Sequence, residues 1–421
     1  MRNPFVLVLC LISATASASF AQIYDLGGMY TYHYRDGRYS DWGDFSLHGS
    51  RIAIAEINES GMLGDARIRM TNENTIDYHC WPENAALMAE TLMQKGILVL
   101  TGADCSGPAV DIARVAEKYK IPVISNGSNA SMLSSVEEFP YFVRVVSPSE
   151  QYEGYLINVA AHFGVEEIAY FYTTDAWGLG ARDVIHESTQ QRNINIVQEY
   201  SYPRDTSYDE IKSYMTKVKQ AGIRHIVNTS PTPDTVRIFR ALHELEMNEP
   251  GYSFYAAEMV SADEAPEAVA GSLGYFAPMV ELMPSPKLSQ FRNALEKRLG
   301  KPVDPSSKAF FYGALSYDHM LAVGYAIRDI QEAGERVTSQ SMLTYLRRMN
   351  FDGATGHVAL VPGTNDRANM PIQIVNSHGY KDDGNTVDFV SVGTVDPVSG
   401  QLVLNEDAIL WPGSVTSPPH Q

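Results

Sequence analysis

Two short polar segments carry the residues best suited to meet a small charged molecule. In Thr101-Gly102-Ala103-Asp104-Cys105-Ser106-Gly107-Pro108, Pro108 fits the first helical position, where its fixed φ is favourable and its missing N–H costs nothing. Ser106 and the free amides around Gly107 then face solvent at the positive end of a helix, which suits a carboxylate. An ordinary helix cap is the other role open to Ser106. The second segment, Ser125-Asn126-Gly127-Ser128-Asn129-Ala130-Ser131, is small and polar. Its carbonyls and the Asn129 amide can receive an ammonium, and taken alone it reads equally well as a turn.

Catalytic and cofactor motifs are missing from the chain: there is no G-x-x-x-x-G-K-[ST] loop, no H-E-x-x-H, no G-x-S-x-G and no C-x-x-C. Gly178-Leu179-Gly180 lacks the third glycine of a dinucleotide loop and reads as a strand–helix turn. The eleven histidines are scattered, with no pair at helical ligand spacing. The expectation is a binding protein with no catalytic step, no metal and no cofactor.

The elements that must position these segments alternate short apolar strands with helices. Strands are expected at Ile97 to Leu100, Ile121 to Ile124, Ile168 to Tyr172, Ile194 to Tyr200, Ile223 to Asn228 and Tyr252 to Ala257. Between and around them the spacing predicts helices at Pro108 to Tyr119, Tyr155 to Phe163, Ala181 to Gln191, Asp209 to Ala221 and Pro233 to Met247. Further helices are expected at Lys287 to Leu299, Ala309 to Ala333 and Ser339 to Arg348, followed by a Gly-, Asn- and Asp-rich tail of β-hairpins. This is a doubly wound α/β pattern, whose ligands bind outside the carboxyl ends of the strands. Polar breaks at Ser147-Pro148-Ser149 and Met283-Pro284-Ser285-Pro286 mark changes of lobe. One lobe is expected from residues 22–146 with 282–350, the other from 147–281 with 351–421.

Asp and Glu number 50 against 32 Lys and Arg, a net charge of -18 that repels a phosphate backbone or an anionic membrane surface. Residues 1–21 join Arg2, an apolar run from Pro4 to Ala16 and small residues up to Ala21, the pattern of a cleaved export signal. That run is shorter than the ~20 residues needed to span a bilayer, so the mature chain is not expected to be membrane-embedded. Removing the signal leaves Cys80 and Cys105. In an exported chain an even count favours pairing, with two unrelated free thiols as the alternative.

The stretch from Cys80 through "TGADCSGPAVDIARVAEKYKIPVISNGSNASML", with "EINESG" and "FVRVVSPSEQ", resembles the periplasmic leucine/isoleucine/valine-binding protein family. These are the type I solute-binding proteins of ABC transporters, and their fold is shared by the ligand-binding regions of amino-acid-sensing and natriuretic-peptide receptors. The tail "FDGATGHVALVPGTNDRANMPIQIV" leans toward the receptor-like members. The resemblance implies two Rossmann-like lobes joined by a hinge, closing on a small amino acid or related amide. It implies a Cys80–Cys105 disulfide, and Ser106 and Gly107 holding the ligand carboxylate. Gly127 and Asn129 stand where the family holds carboxylate and ammonium, with Asn129 in place of a Thr. Trp177 stands where the family's loop usually has Tyr, and Glu258 matches a glutamate that pairs the ligand ammonium. The implied partners are ABC permease membrane subunits, in the periplasm. A ligand sensor reporting to a membrane receptor or kinase, or an amidase-like enzyme using the same cleft, are the alternatives.

The chief departure from that family is the aromatic run from Tyr30 to Trp42, suited to stacking a ring, caging a quaternary ammonium or facing a partner. Sequons at Asn126, Asn129 and Asn228 fall in the expected cleft, where a glycan would block it; with Asn58 they read as chance.

Overall fold

The computed structural model describes residues 22–149, 153–260, 273–368, 370–381, 387–396 and 399–419; the expected export signal lies outside them. Two sheets organise the chain. In the first, β2 (Gly27–Tyr30), β4 (Thr75–Asp77), β5 (Leu100–Gly102), β6 (Val123–Ser125) and β7 (Phe142–Arg144) run parallel in the order β4-β2-β5-β6-β7. A short parallel ladder of β1 (Ile23–Asp25) and β3 (Arg67–Arg69) lies beside it. In the second sheet, β9 (Asn195–Tyr202), β8 (Glu167–Thr173), β10 (His225–Thr229), β11 (Ser253–Ala256) and β12 (Phe276–Val280) are parallel in that order. β15 (Ile372–Tyr380), β16 (Val387–Val395) and β17 (Leu402–Leu404) extend it antiparallel, as the alternating tail leads one to expect.

Both parallel sets share one winding. The second strand of each set lies on one side of the first and the third on the other, so the loops after the first and third strands diverge and leave a crevice. In the first sheet those loops follow β2 and β5; in the second they follow β8 and β10. Strands β2, β5, β6 and β7 are buried at every residue, the condition of a parallel sheet covered on both faces.

The covering helices of the first lobe are α1 (Asp41–Ser60), α2 (Ala85–Gln94), α3 (Ser106–Tyr119), α8 (Pro286–Leu299), α9 (Lys308–Glu332) and α10 (Ser339–Leu346). Those of the second are α4 (Gly154–His162), α5 (Ala176–Arg192), α6 (Tyr208–Gln220) and α7 (Thr232–Glu244). The apolar helix α9 is buried along most of its length and lies against α1, where a Cβ on Gly49 would stand 2.1 Å from the Gly313 carbonyl oxygen. Only glycine allows the two backbones to approach that closely.

Helix α5 begins five residues before the Ala181 expected from periodicity, because Asp175 caps it by accepting from the Gly178 amide at 3.0 Å. Gly178 itself is required there, since a Cβ would lie 2.0 Å from the Thr173 carbonyl oxygen. Helix α3 likewise begins at Ser106, two residues before Pro108, so Ser106 is in the first turn and Cys105 is the cap.

The sequence pattern changes lobe at residue 350; the structure changes it later. The hairpin β13 (Asn350–Gly353) and β14 (Gly356–Ala359) stays with the first lobe, where Phe351 packs on Tyr325 and the Ala354 and Thr355 amides donate to Asp318. Arg367, fully buried, donates to the carbonyls of Val145, Thr355 and His357 before the chain enters β15. Nearby, Arg144 is removed from water altogether and bonds Asp366 through Nε at 2.8 Å and Nη2 at 2.6 Å. Asp366→Ala should therefore lower stability by about 3 to 5 kcal/mol, because a buried guanidinium would lose its counter-charge. A urea midpoint equal to wild type would show that the pair does not hold this crossover.

Candidate functional site

A cleft opens between the two sheets at their strand carboxyl ends, and Ser106, Gly107, Gly127, Asn129, Trp177 and Glu258 all line it. A second, more apolar chamber shares Asn129, Trp177 and Glu258 and continues to Val146, Met259, Met279, Val280 and Phe311.

On the first-lobe wall, the α3 N-terminus has no side-chain cap. The Ser106 hydroxyl accepts from the amides of Asn129 and Ala130, both at 3.1 Å, and donates to Asn129 Oδ1 at 3.2 Å. Ser106 thus fastens the second polar segment to the helix start, and its one proton is what a ligand carboxylate would have to draw from Asn129. Gly127 admits no side chain, since a Cβ would lie 2.6 Å from the Asp104 carbonyl oxygen, whereas Gly107 opens toward Asp175 across the cleft.

Asp104 sets the start of α3 from beneath. Its buried carboxylate accepts from the Thr31 amide and hydroxyl at 3.1 and 2.9 Å and from Tyr78, whose oxygen accepts from the Cys105 amide. Burial pushes the Asp104 carboxyl up to about 6, against the pull of those donors. Cys80 and Cys105 are bonded, with Cα atoms 5.5 Å apart.

On the second-lobe wall, two carboxylates meet helix N-termini. Asp175 caps α5; Glu258 Oε2 accepts from the Thr232 amide at 2.9 Å and the Thr232 hydroxyl at the start of α7. Trp177 lies in the first turn of α5 rather than in a loop, is 6% exposed, and its Nε1 has no hydrogen-bond acceptor.

Three residues that sequence reading leaves out complete the site. Lys308, first residue of α9, reaches across the cleft to Glu258 Oε2 at 3.1 Å and to the Thr232 hydroxyl at 2.7 Å. Glu258 therefore already holds a cation, one supplied by the other lobe. Arg204, after β9, donates to the Cys80 carbonyl at 2.8 Å and stands 3.9 Å from Asp175. Tyr312 packs on Trp42, ring centroids 5.0 Å apart, and both line the cleft. The signal for Lys308 is a lone base in the first turn of an apolar helix, where the macrodipole opposes it.

The aromatic run divides by role. Tyr34 and Trp42 line the cleft, joined by a 2.8 Å bond from the indole N–H to the phenol oxygen; Tyr30 is core, bonded to Ser50 and Thr101; Tyr39 is exposed. Asn228 does not line the cleft: it is wholly buried and its amide donates to Thr235. Asn126 is wholly buried as well, donating to Ser46, which leaves neither asparagine room for a glycan in the fold. Among the described residues no group of three His, Cys, Asp or Glu is placed to hold a metal, and no helix is long and apolar enough to cross a membrane.

With its pKa above the ordinary 3.8, Asp104 favours the fold while protonated; that contribution is complete below about pH 4 and is lost as pH rises through about 6. Asp104→Asn should remove this loss, so the stability difference between wild type and variant should change across that window in urea titrations. A difference independent of pH would show that Asp104 does not titrate there.

The family model described as the receptor family ligand binding region matches residues 47–379. The chain is 21% identical over 297 residues to glutamate receptor 2.7 of Arabidopsis thaliana, covering 65% of this chain and 31% of that one. It is 22% identical over 197 residues to a metabotropic glutamate receptor of Drosophila melanogaster, covering 46% and 20%. To the leucine-specific-binding protein of Salmonella typhimurium it is 24% identical over 193 residues, covering 45% and 49%. The matches thus span less than half the length of each of these relatives. A family model that matches residues 47–379, with most strands of both sheets, makes the chain a member of the receptor family ligand-binding region, with the fold of the type I periplasmic binding proteins.

Proposed function

We propose that this chain is an extracytoplasmic solute-binding protein that closes its two lobes on a small amino acid or related amide and delivers it to ABC permease subunits. The observation that carries the reading is the convergence of Ser106, Gly107, Gly127, Asn129, Trp177 and Glu258, far apart in sequence, on one cleft. Ser106 and the uncapped α3 amides take the carboxylate; Gly127 and Asn129 give the ligand room and acceptors; Trp177 covers its body; Glu258 faces its nitrogen. Chain segments near residues 147–149, 283–286 and 370–372 serve as the hinge. The cysteine pair suits export to an oxidising compartment such as the periplasm, with residues 1–21 as the signal.

Relatives that are glutamate receptors favour a second reading, a soluble sensor that reports occupancy to a membrane receptor or kinase. Genes for permease and ATPase subunits beside this one would favour transport.

A thermal-shift screen of the mature chain against amino acids, amides and small carboxylates should give a ligand-dependent rise in Tm, because a ligand of the folded state stabilises it by mass action. Ser106→Ala should weaken that ligand by about 1 to 3 kcal/mol, the loss of a hydrogen bond to a charged group. A folded, ligand-free protein that responds to none of them, or a Ser106→Ala variant of unchanged affinity, would remove the cleft assignment.

A further inference from the structure

The polar groups on the cleft walls are unequally satisfied. Three carboxylates line the cavity, and each is held by protein donors through at least one oxygen. Asp104 receives Thr31 and Tyr78; Asp175 receives the Gly178 amide and the Thr173 hydroxyl; Glu258 receives Thr232 and the Lys308 ammonium. The donors are not all used. The start of α3 has no side-chain cap, and Trp177 Nε1 and Arg204 Nε are buried without hydrogen-bond acceptors. A cavity with spare donors, whose carboxylates already receive protein donors, favours an acceptor-bearing anion.

Lys308 decides the matter at the position where an amino acid would place its nitrogen. Its side chain is 9% exposed, its Nζ stands 3.1 Å from Glu258 Oε2 and over the Trp42 ring at 5.4 Å, and Ser307 caps the helix that carries it. An ammonium brought to Glu258 would either displace this lysine or sit beside a fixed like charge in a partly desolvated cleft.

From this we infer that Lys308 is a specificity-determining residue that fills the ammonium's place, so the cleft selects carboxylates whose neighbouring carbon bears an uncharged group, such as α-hydroxy acids and N-acylated amino acids. The inference rests on the cleft reading above: it keeps the carboxylate site and puts an analogue without an ammonium in place of the amino acid. The α3 amides and Ser106 hold the carboxylate, Trp177 Nε1 meets the uncharged acceptor, and an apolar tail enters the chamber beside Met259, Met279 and Phe311.

The test is calorimetric titration of the wild type with matched pairs: alanine and lactate, leucine and leucic acid, phenylalanine and phenyllactate. In the pair whose side chain fits, the hydroxy acid should bind about tenfold tighter or more, from the like-charge repulsion an ammonium would meet. Lys308→Met should lose or invert that preference, while Lys308→Arg, which keeps the charge, should retain it; melting without ligand shows that both variants fold. An amino acid bound as tightly as its hydroxy analogue, or a ratio unchanged in Lys308→Met, overturns the role of Lys308 and leaves the cleft reading standing. Silence of both members of every pair overturns the inference and the cleft reading together.

Discussion

The buried Arg144 is the constraint on which the site depends. A guanidinium taken wholly out of water is tolerated only if a counter-charge and acceptors meet its donors. Asp366 supplies the charge, while the carbonyls of Ser128 and Ala130 and the Ser134 hydroxyl supply further acceptors. The segment that follows β6 is thereby fixed to the chain that is about to cross into the second lobe. Asn365 adds to the same knot, donating to the carbonyls of Leu133, Ser135 and Phe139. Gly127 and Asn129 keep their position against Ser106 because the loop carrying them has no freedom to leave it.

Around that fixed loop, charge is divided between the walls. The first lobe presents the uncapped start of α3 and the Lys308 ammonium. The second presents Asp175 and Glu258, each on the N-terminus of its own helix, where the macrodipole favours a carboxylate. Opposite signs on facing walls favour closure, and Lys308–Glu258 is the bond in which they meet. A second contact across the cleft runs the other way, from the Arg204 guanidinium of the second lobe to the neutral carbonyl of Cys80 in the disulfide-bonded loop.

Most of the architecture was legible because it is local. Alternating apolar runs and helical spacing follow from the pleat and the helical turn, and they located the strands whose carboxyl ends carry the site. Where propensity misleads, the start of α5 slips: Gly178 and Gly180 weaken the helical pattern, yet Asp175 caps the turn and the Thr173 carbonyl leaves space only for glycine. The hairpin after residue 350 shows the same limit, since turn-rich sequence does not say which sheet or helix a hairpin will cover.

The amino-acid order by itself determined the two doubly wound halves and the residue types at Ser106, Gly127, Asn129, Trp177 and Glu258, because strand ends and helix starts are written in neighbouring residues. Tertiary structure alone decided what those residues face. Lys308 lies 50 residues from Glu258 in the chain, and Arg204 lies 124 from Cys80; each pair meets only when the lobes come together. The partner of a charge is fixed by distance in space, which the periodicity of neighbouring residues does not encode.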